Sequence, residues 1–141
     1  MRSALLCLAA CALASCASAP QAPTWPQQVR AHFDANNAAA RAGASRQQDF
    51  FARTQHPDYR DLTCELDGLT VELDPALSTL RRDPGFAPDR TGPPRGEIWA
   101  VGVEVTVRER GAIIGRQIGT QHLVLLDGRV HGFAPCPGEA P

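Results

Sequence analysis

The sequence predicts an α+β domain in which helices precede an antiparallel sheet. Every second residue from Trp99 to Val107 is a tryptophan or a valine, and this period of two is typical of a strand with one buried face. Asp127-Gly128 between two apolar runs is a strong hairpin signal, because a type I′ turn needs positive φ at both central positions. Upstream, the segments 26–42 and 45–55 carry helix start and stop signals.

The first 15 residues are expected to be a signal peptide outside the fold. The apolar run 4–14 is too short to span a bilayer, which takes about 20 residues. Leu13-Ala14-Ser15-Cys16 resembles the bacterial lipoprotein signal, in which the cysteine receives palmitate and other acyl chains and starts the mature protein. The alternative is an ordinary secretory peptide cut after Ala17-Ser18-Ala19, a cut that Pro20 disfavours.

The lipoprotein resemblance implies a membrane anchor in the cell envelope. Ala17, rather than an aspartate, would follow the lipidated Cys16, which is similar to proteins sorted to the periplasmic face of the outer membrane. Residues 16–24 would then be a tether, residues 25–137 a single domain and residues 138–141 a tail.

Two helices are expected at the start of the domain. Pro26 suits a first helical turn, and the helix 26–42 would end at Gly43. Ser45 with Gln48 predicts a capping box for a shorter second helix. His56-Pro57 would end that helix, because the residue before proline avoids the α region.

The middle of the chain predicts a hairpin followed by a third helix. Residues 59–66 and 69–73 read as strands joined by a turn at Asp67-Gly68. Asp74-Pro75 combines an N-cap acid with proline at the first helical position, so a helix is predicted from there to Arg81-Arg82.

A 14-residue loop with four prolines and three glycines then spans residues 83–96. A loop of this length is either a lid or binding loop, or a solvated connection.

The last third predicts a three-stranded meander over residues 97–136. Two-residue turns at Arg110-Gly111 and Asp127-Gly128 would place Trp99 opposite His122. The residues Trp99, Val101, His122 and Phe133 would then share one face and form a ligand-binding surface. A three-residue loop at Gly111 is the alternative, and it would swap the faces by shifting the register by one residue.

Composition narrows the functional classes. The formal net charge is −1, which argues against nucleic acid as a partner because that binding needs a basic footprint. All 14 basic residues are arginine, as in proteins of GC-rich bacteria. Outside the signal and Cys16, Cys64 and Cys136 are expected to form a disulfide in an oxidising compartment, the alternative being two free thiols.

Two motifs and the order of elements resemble the nuclear transport factor 2-like superfamily, which includes ketosteroid isomerases and SnoaL-like cyclases. The motifs are His56-Pro57-Asp58-Tyr59 and the segment 123–130, and the resemblance covers about residues 25–136. It implies a cystatin-like cone in which a curved antiparallel sheet wraps around N-terminal helices and encloses an apolar pocket. Many members of the superfamily dimerise through the sheet.

The resemblance also implies candidate catalytic residues. Ketosteroid isomerases use an aspartate as base and a tyrosine to polarise a carbonyl, and the candidates here are Tyr59, Asp61, Glu104 and His122. A His–Asp pair would need Asp61 or Asp49 beside His122. The structural alternatives are a solvated Asp61 and a core histidine at His122.

No metal or cofactor site is expected, because His122 and His131 without a carboxylate make a poor metal signal. The preferred hypothesis is a non-catalytic, membrane-anchored envelope lipoprotein that binds a small apolar ligand or a protein partner, either another envelope protein or a second copy. The alternative is a small-molecule isomerase, cyclase or dehydratase of the SnoaL-like type.

Overall fold

The structure, a computed structural model, describes residues 21–89 and 92–136, so the predicted signal, Cys16 and the tail lie outside the described residues. Within this part of the chain, two helices precede a four-stranded antiparallel sheet, which confirms the α+β class. Neither described helix is long and apolar enough to cross a membrane. The bounds are α1 Trp25–Ala42, α2 Ala44–Thr54, a 3-10 helix Pro57–Tyr59, β1 Leu69–Arg82, β2 Glu97–Glu109, β3 Ala112–Leu126 and β4 Arg129–Gly132.

The sheet is a curved meander in the order β1-β2-β3-β4, and both helices pack on one side of it. We call this side the helix-facing face and the other the outer face. Odd-numbered residues of β2 point to the helix-facing face and make the core with residues of both helices. The fully or nearly buried apolar core residues are Val29, Phe33, Phe50, Phe51, Leu66, Val71, Leu73, Val101, Val103, Val105 and Leu123.

Both predicted helices are confirmed, but the predicted capping box of the second is wrong. Gly43, with φ of 117°, separates α1 from α2 and is itself the N-cap of α2. The Gln48 side chain donates to the carbonyl of Cys64 at 3.2 Å and so ties α2 to the following loop. Gln48 therefore makes a tertiary contact and does not cap the start of its own helix.

The predicted strand 59–66 is wrong, because tight turns occupy residues 57–61 and residues 62–66 are irregular. The N–H of Tyr59 donates to the His56 carbonyl at 2.9 Å, and the N–H of Leu62 donates to the Tyr59 carbonyl at 3.0 Å. The Asp67-Gly68 turn is present, with φ of 49° and 84°, and it leads into β1.

The predicted helix after Asp74 is also wrong, because β1 continues through it to Arg82. Pro75 lies opposite Val103 in the ladder with β2. The N–H groups of Val71 and Leu73 point away from β2, and by alternation the nitrogen of Pro75 points the same way. A proline whose nitrogen faces away from the neighbouring strand removes no hydrogen bond of the ladder. Pairing with β2 is therefore possible here, and it overrides the local helix signal.

The predicted meander is confirmed, but its first register is wrong. The Arg110-Gly111 turn has two residues as expected, since Glu109 lies opposite Ala112. A bulge then shifts the pairing, so that Val107 faces Gly115 and Trp99 faces Leu123. The shift by one residue moves His122 and Ile118 to the outer face.

Side-chain amides close the outer edge of β1 at Val71 and Leu73. The Gln47 amide accepts from the N–H of Val71 at 2.9 Å and donates to its carbonyl at 2.6 Å. The Asn37 amide makes the same paired contact with Leu73, at 2.8 and 2.9 Å. The two side chains imitate a neighbouring strand, which is one way to block an edge against another chain.

The end of the chain is fastened beside α2. The N–H of His56 donates to the Gly132 carbonyl at 3.0 Å, and the N–H of Ala134 donates to the side chain of Gln55 at 2.9 Å. A disulfide joins Cys64 to Cys136, with the two Cα atoms 5.6 Å apart. These contacts cover the outer edge of β4.

Candidate functional site

The space between the helices and the sheet is filled by side chains. Phe33, Phe50 and Phe51 converge there with Leu123 and Phe133, and the remaining cavity is about 10 Å³. A cavity of that size holds about one water molecule. Of the four predicted ligand-binding residues, Phe133 lines this cavity, and its ring centroid also lies 5.2 Å from that of Phe86. The interior as described has no room for a ligand larger than water.

A half-buried histidine borders the cavity. The ring of His32 lies between those of Phe33 and Phe50, with centroid distances of 5.7 and 5.2 Å. Burial lowers the pKa of His32 to about 4, and the nearby His131 adds to this effect. His32 is therefore neutral near pH 7 and behaves as a core residue.

His122 forms a pair with an aspartate on the outer face, although with neither predicted partner. Its Nε2 lies 2.8 Å from Oδ2 of Asp83, and its ring stacks on Phe86 with a centroid distance of 3.7 Å. Asp83 and Phe86 belong to the long loop, so His122 holds the start of that loop against the sheet. Sequence reasoning missed Asp83 because the predicted register put His122 on the other face.

The motif His56-Pro57-Asp58-Tyr59 holds the other end of the same loop. Nε2 of His56 lies 2.9 Å from the Arg95 carbonyl, and the Tyr59 hydroxyl donates to the Gly92 carbonyl at 2.9 Å. Arg95 donates to both carboxylate oxygens of Asp58, at 2.7 and 2.9 Å, and these bonds lower the pKa of Asp58. The motif therefore positions a loop in this structure.

Gly96 completes that attachment. Its φ is 109°, and a Cβ there would lie 2.6 Å from Cγ1 of Val124. Only glycine allows the loop to approach the sheet so closely. With both ends attached, the described parts of the loop cover the outer face beside β2 and β3.

The four candidate catalytic residues do not converge. Tyr59 is buried with its hydroxyl bonded to the loop, whereas Asp61 is exposed. Glu104 is exposed on the outer face, four residues along β2 from Ala100, which is the partner of His122. At the rise of a strand, that spacing separates Glu104 from His122 by about 13 Å.

Trp99 and Val101 lie on the helix-facing face, and His122 lies on the outer face. Trp99 contacts Trp25 at the start of α1, with ring centroids 5.6 Å apart, and Arg82 lies 5.1 Å from the Trp99 ring centroid. Val101 is fully buried. The structure thus separates the predicted ligand surface into a packed core and an outer cluster around His122.

The exposed feature that the sequence reasoning missed is one edge of β3. Residues 123–126 pair with β4, whereas residues 112–122 pair with β2 alone within the described chain. Ile118, Ile114 and Ile113 are 80, 56 and 44 % exposed beside this free edge. The correct register, and hence the bulge near Ile114, was needed to find it.

The described residues contain no group of three His, Cys, Asp or Glu side chains that could hold a metal ion. Comparison of the chain with protein-family models, with curated proteins and with solved structures finds no match. The functional argument therefore depends on the geometry of the chain itself.

Proposed function

We propose that the chain is a membrane-anchored envelope lipoprotein whose NTF2-like, cone-shaped domain is non-catalytic and binds a protein partner through the free edge of β3. The anchor would be Cys16 behind the signal peptide, on the periplasmic face of the outer membrane. The order of helices, curved sheet and final hairpin supports the superfamily resemblance.

The proposal depends on one observation: exposed isoleucine side chains lie beside a strand edge that has no neighbouring strand in the described chain. A free edge offers N–H and C=O groups to an extended segment of another chain, and adjacent apolar side chains add buried area. Ile118 is the most exposed of these, at 80 %. Proteins manage such edges with charge, proline or cover, and residues 112–122 hold one charged side chain, Arg116, and no proline.

The structure favours a protein partner over a small apolar ligand, and binding over catalysis. The interior cavity of about 10 Å³ is far smaller than the roughly 300–1,000 Å³ of ligand pockets. Two larger clefts, of about 360 and 400 Å³, have polar and charged side chains such as Asp49 and Arg108 in their linings, which suits an apolar ligand poorly. The side chains of Tyr59, Glu104 and His122 lie too far apart to contact one small substrate together.

Site-specific photocrosslinking of the full chain in a bacterial envelope tests the proposal. A photoreactive benzoylphenylalanine at position 118 should give discrete protein adducts on illumination. The same residue at position 35, which is exposed on α1, is the control and should give few. Equal adduct yields at positions 118 and 35 would rule out the β3 edge as the binding surface.

A further inference from the structure

We propose that a cleft between the end of α1, the start of β1 and the β2–β3 turn binds the phosphate group of a soluble phosphorylated molecule. The cleft has a volume of about 400 Å³, which lies within the range of small-molecule sites. None of the exposed isoleucines of the β3 edge lines it. The inference therefore goes beyond the proposed function and concerns a second surface of the domain.

Three arginines line this cleft against a single carboxylate. Arg41, Arg108 and Arg110 come from α1, β2 and the turn after β2. Within the described chain, Glu72 is the only acidic residue in the lining. One carboxylate leaves two of the three positive charges unmatched, although the chain as a whole has a formal net charge of −1. The cleft is therefore a local concentration of positive charge, which attracts anions.

Glu72 holds two of the guanidinium groups in place. Its Oε2 accepts from Nε of Arg108 at 2.8 Å, and its Oε1 accepts from Nη1 of Arg41 at 3.4 Å. Nη1 of Arg108 also donates to the Gly111 carbonyl at 3.1 Å, which ties this side chain to the turn. A guanidinium has five N–H donors, so both arginines keep donors that these contacts do not use. Side chains ordered in advance lose little conformational entropy when a ligand binds.

The cleft combines a sheltered arginine with two exposed ones. The side chain of Arg108 is 34 % exposed, whereas those of Arg41 and Arg110 are 64 and 87 % exposed. A charge that is partly removed from water attracts an anion more strongly than a fully solvated charge does. Arg110 lies 3.6 Å from Glu109, and a surface contact of this kind stabilises little. Arg108 therefore forms the base of the site, and the other two arginines form its rim.

The number of unmatched charges favours phosphate over carboxylate as the bound group. The forked donors of arginine bond to two oxygens of either anion at once. A carboxylate would match one of the two surplus charges, whereas a phosphate monoester carries about two negative charges near pH 7 and matches both. Thr70, which also lines the cleft, supplies a hydroxyl donor for a further phosphate oxygen.

The position of the cleft indicates a soluble ligand rather than a lipid headgroup. The helix α1 begins at Trp25, directly after the predicted tether, and its other end lies beside the cleft. Its 18 residues rise by about 27 Å, so the cleft lies at the end of α1 that is far from the predicted anchor. This choice of source uses the anchor of the proposed function, whereas the charge and shape of the cleft do not depend on it.

Calorimetric titration of the full chain with inorganic pyrophosphate tests the site, with Cys16→Ser in every sample to remove the predicted lipid. This parent chain should show saturable binding. Arg41→Gln and Arg110→Gln should each weaken the affinity about tenfold, because each removes a hydrogen bond between charged groups. Arg30→Gln, an exposed position of α1 outside the cleft, removes the same charge and should bind as the parent chain does. Melting temperatures check that all variants fold.

Co-sedimentation with vesicles distinguishes the two sources of phosphate. The parent chain and the Arg41→Gln/Arg110→Gln double variant are each mixed with phosphatidylcholine vesicles, with and without added phosphatidylglycerol. The expected result is that the double variant sediments to the same extent as the parent chain with both kinds of vesicle, because the cleft does not take headgroups.

Three results would contradict the proposal. Absence of saturable pyrophosphate binding would overturn the site itself. Equal weakening in Arg30→Gln and in the two cleft variants would show that net charge alone attracts the anion. Sedimentation with the anionic vesicles that depends on Arg41 and Arg110 would overturn the soluble source. None of these results bears on photocrosslinking at position 118, so a failure here leaves the proposed function standing.

Discussion

At the scale of single residues, the histidines of this chain serve packing and attachment. His56 and His122 hold the two ends of the long loop, and His32 lies among aromatic rings. Histidines are often considered first as catalytic groups, because their pKa lies near neutral pH. Here the rings of His56 and His122 are hydrogen-bonded to the loop, and the ring of His32 is packed between two phenylalanines.

His32 predicts how stability depends on pH. The unfolded histidine takes a proton below about pH 6.5, whereas in the fold the pKa is about 4. Between these values the unfolded state holds more protons, so the free energy of unfolding falls as the pH falls. The full loss is about 3 kcal/mol and is reached below pH 4. His32→Leu should flatten this dependence.

Urea unfolding of wild type and His32→Leu at several pH values between 4 and 7 measures the effect. His131 also has a lowered pKa, from its own burial and the nearby His56, so a smaller dependence of the same sign should remain in the variant. An undiminished slope in His32→Leu would show that another group dominates.

At the scale of elements, the two edges of the sheet differ in how they end. The outer edge of β1 is closed by amides from α1 and α2, and β4 is covered by the segment around Gln55. Most of β3 stays open on one side. The open edge is therefore a local feature in a sheet that is otherwise protected.

Gln47→Leu should destabilise the fold strongly, although it nearly conserves the volume of the side chain. Gln47 is fully buried and bonds to the N–H and carbonyl of Val71 and to Asn36. Leaving these groups unpaired costs about 2–4 kcal/mol. Chemical denaturation measures the loss, and Arg46→Ala, on the exposed side of the same helix, is the matched control with little expected change. A loss below 1 kcal/mol would mean that water replaces the amide.

Sequence patterns identified the elements better than their pairing. The 26–42 helix, the Asp127-Gly128 hairpin and the meander follow from local signals at Gly43, the Asp-Gly turn and the alternating valines. The helix at Asp74-Pro75 failed because pairing with β2 outweighs a local cap signal. The predicted register was wrong because the bulge at Ile114 does not change the alternation of apolar residues in the sequence. The face that carries His122 and the free edge of β3 therefore could not be predicted.

At the scale of the whole molecule, the described chain is closed by one covalent link. Cys64 and Cys136 are 72 residues apart in sequence, and the predicted pairing is present in the structure. The bond joins the turns after α2 to the segment beyond β4, so it encloses all four strands.

Replacing both cysteines by serine should lower the free energy of unfolding by about 4 kcal/mol, because the unfolded chain regains the entropy of an open loop of this length. Thermal unfolding of the oxidised protein and of the double variant measures the loss. Mild reduction of the wild type should give the same decrease, and reduction should not affect the variant. A stability independent of reductant would show that the two thiols are free.

The amides of Gln47 and Asn37 also decide what kind of assembly the chain can form. If copies join through β3, each copy offers one open edge and presents a closed one on the far side of its sheet. Edge pairing at Val71 and Leu73 is then blocked on both outer sides of the joined sheet, which limits growth beyond two copies. A chain with two open edges would instead polymerise without limit, as fibrils do. Two amide side chains on the helices thus favour a finite assembly over an unlimited one.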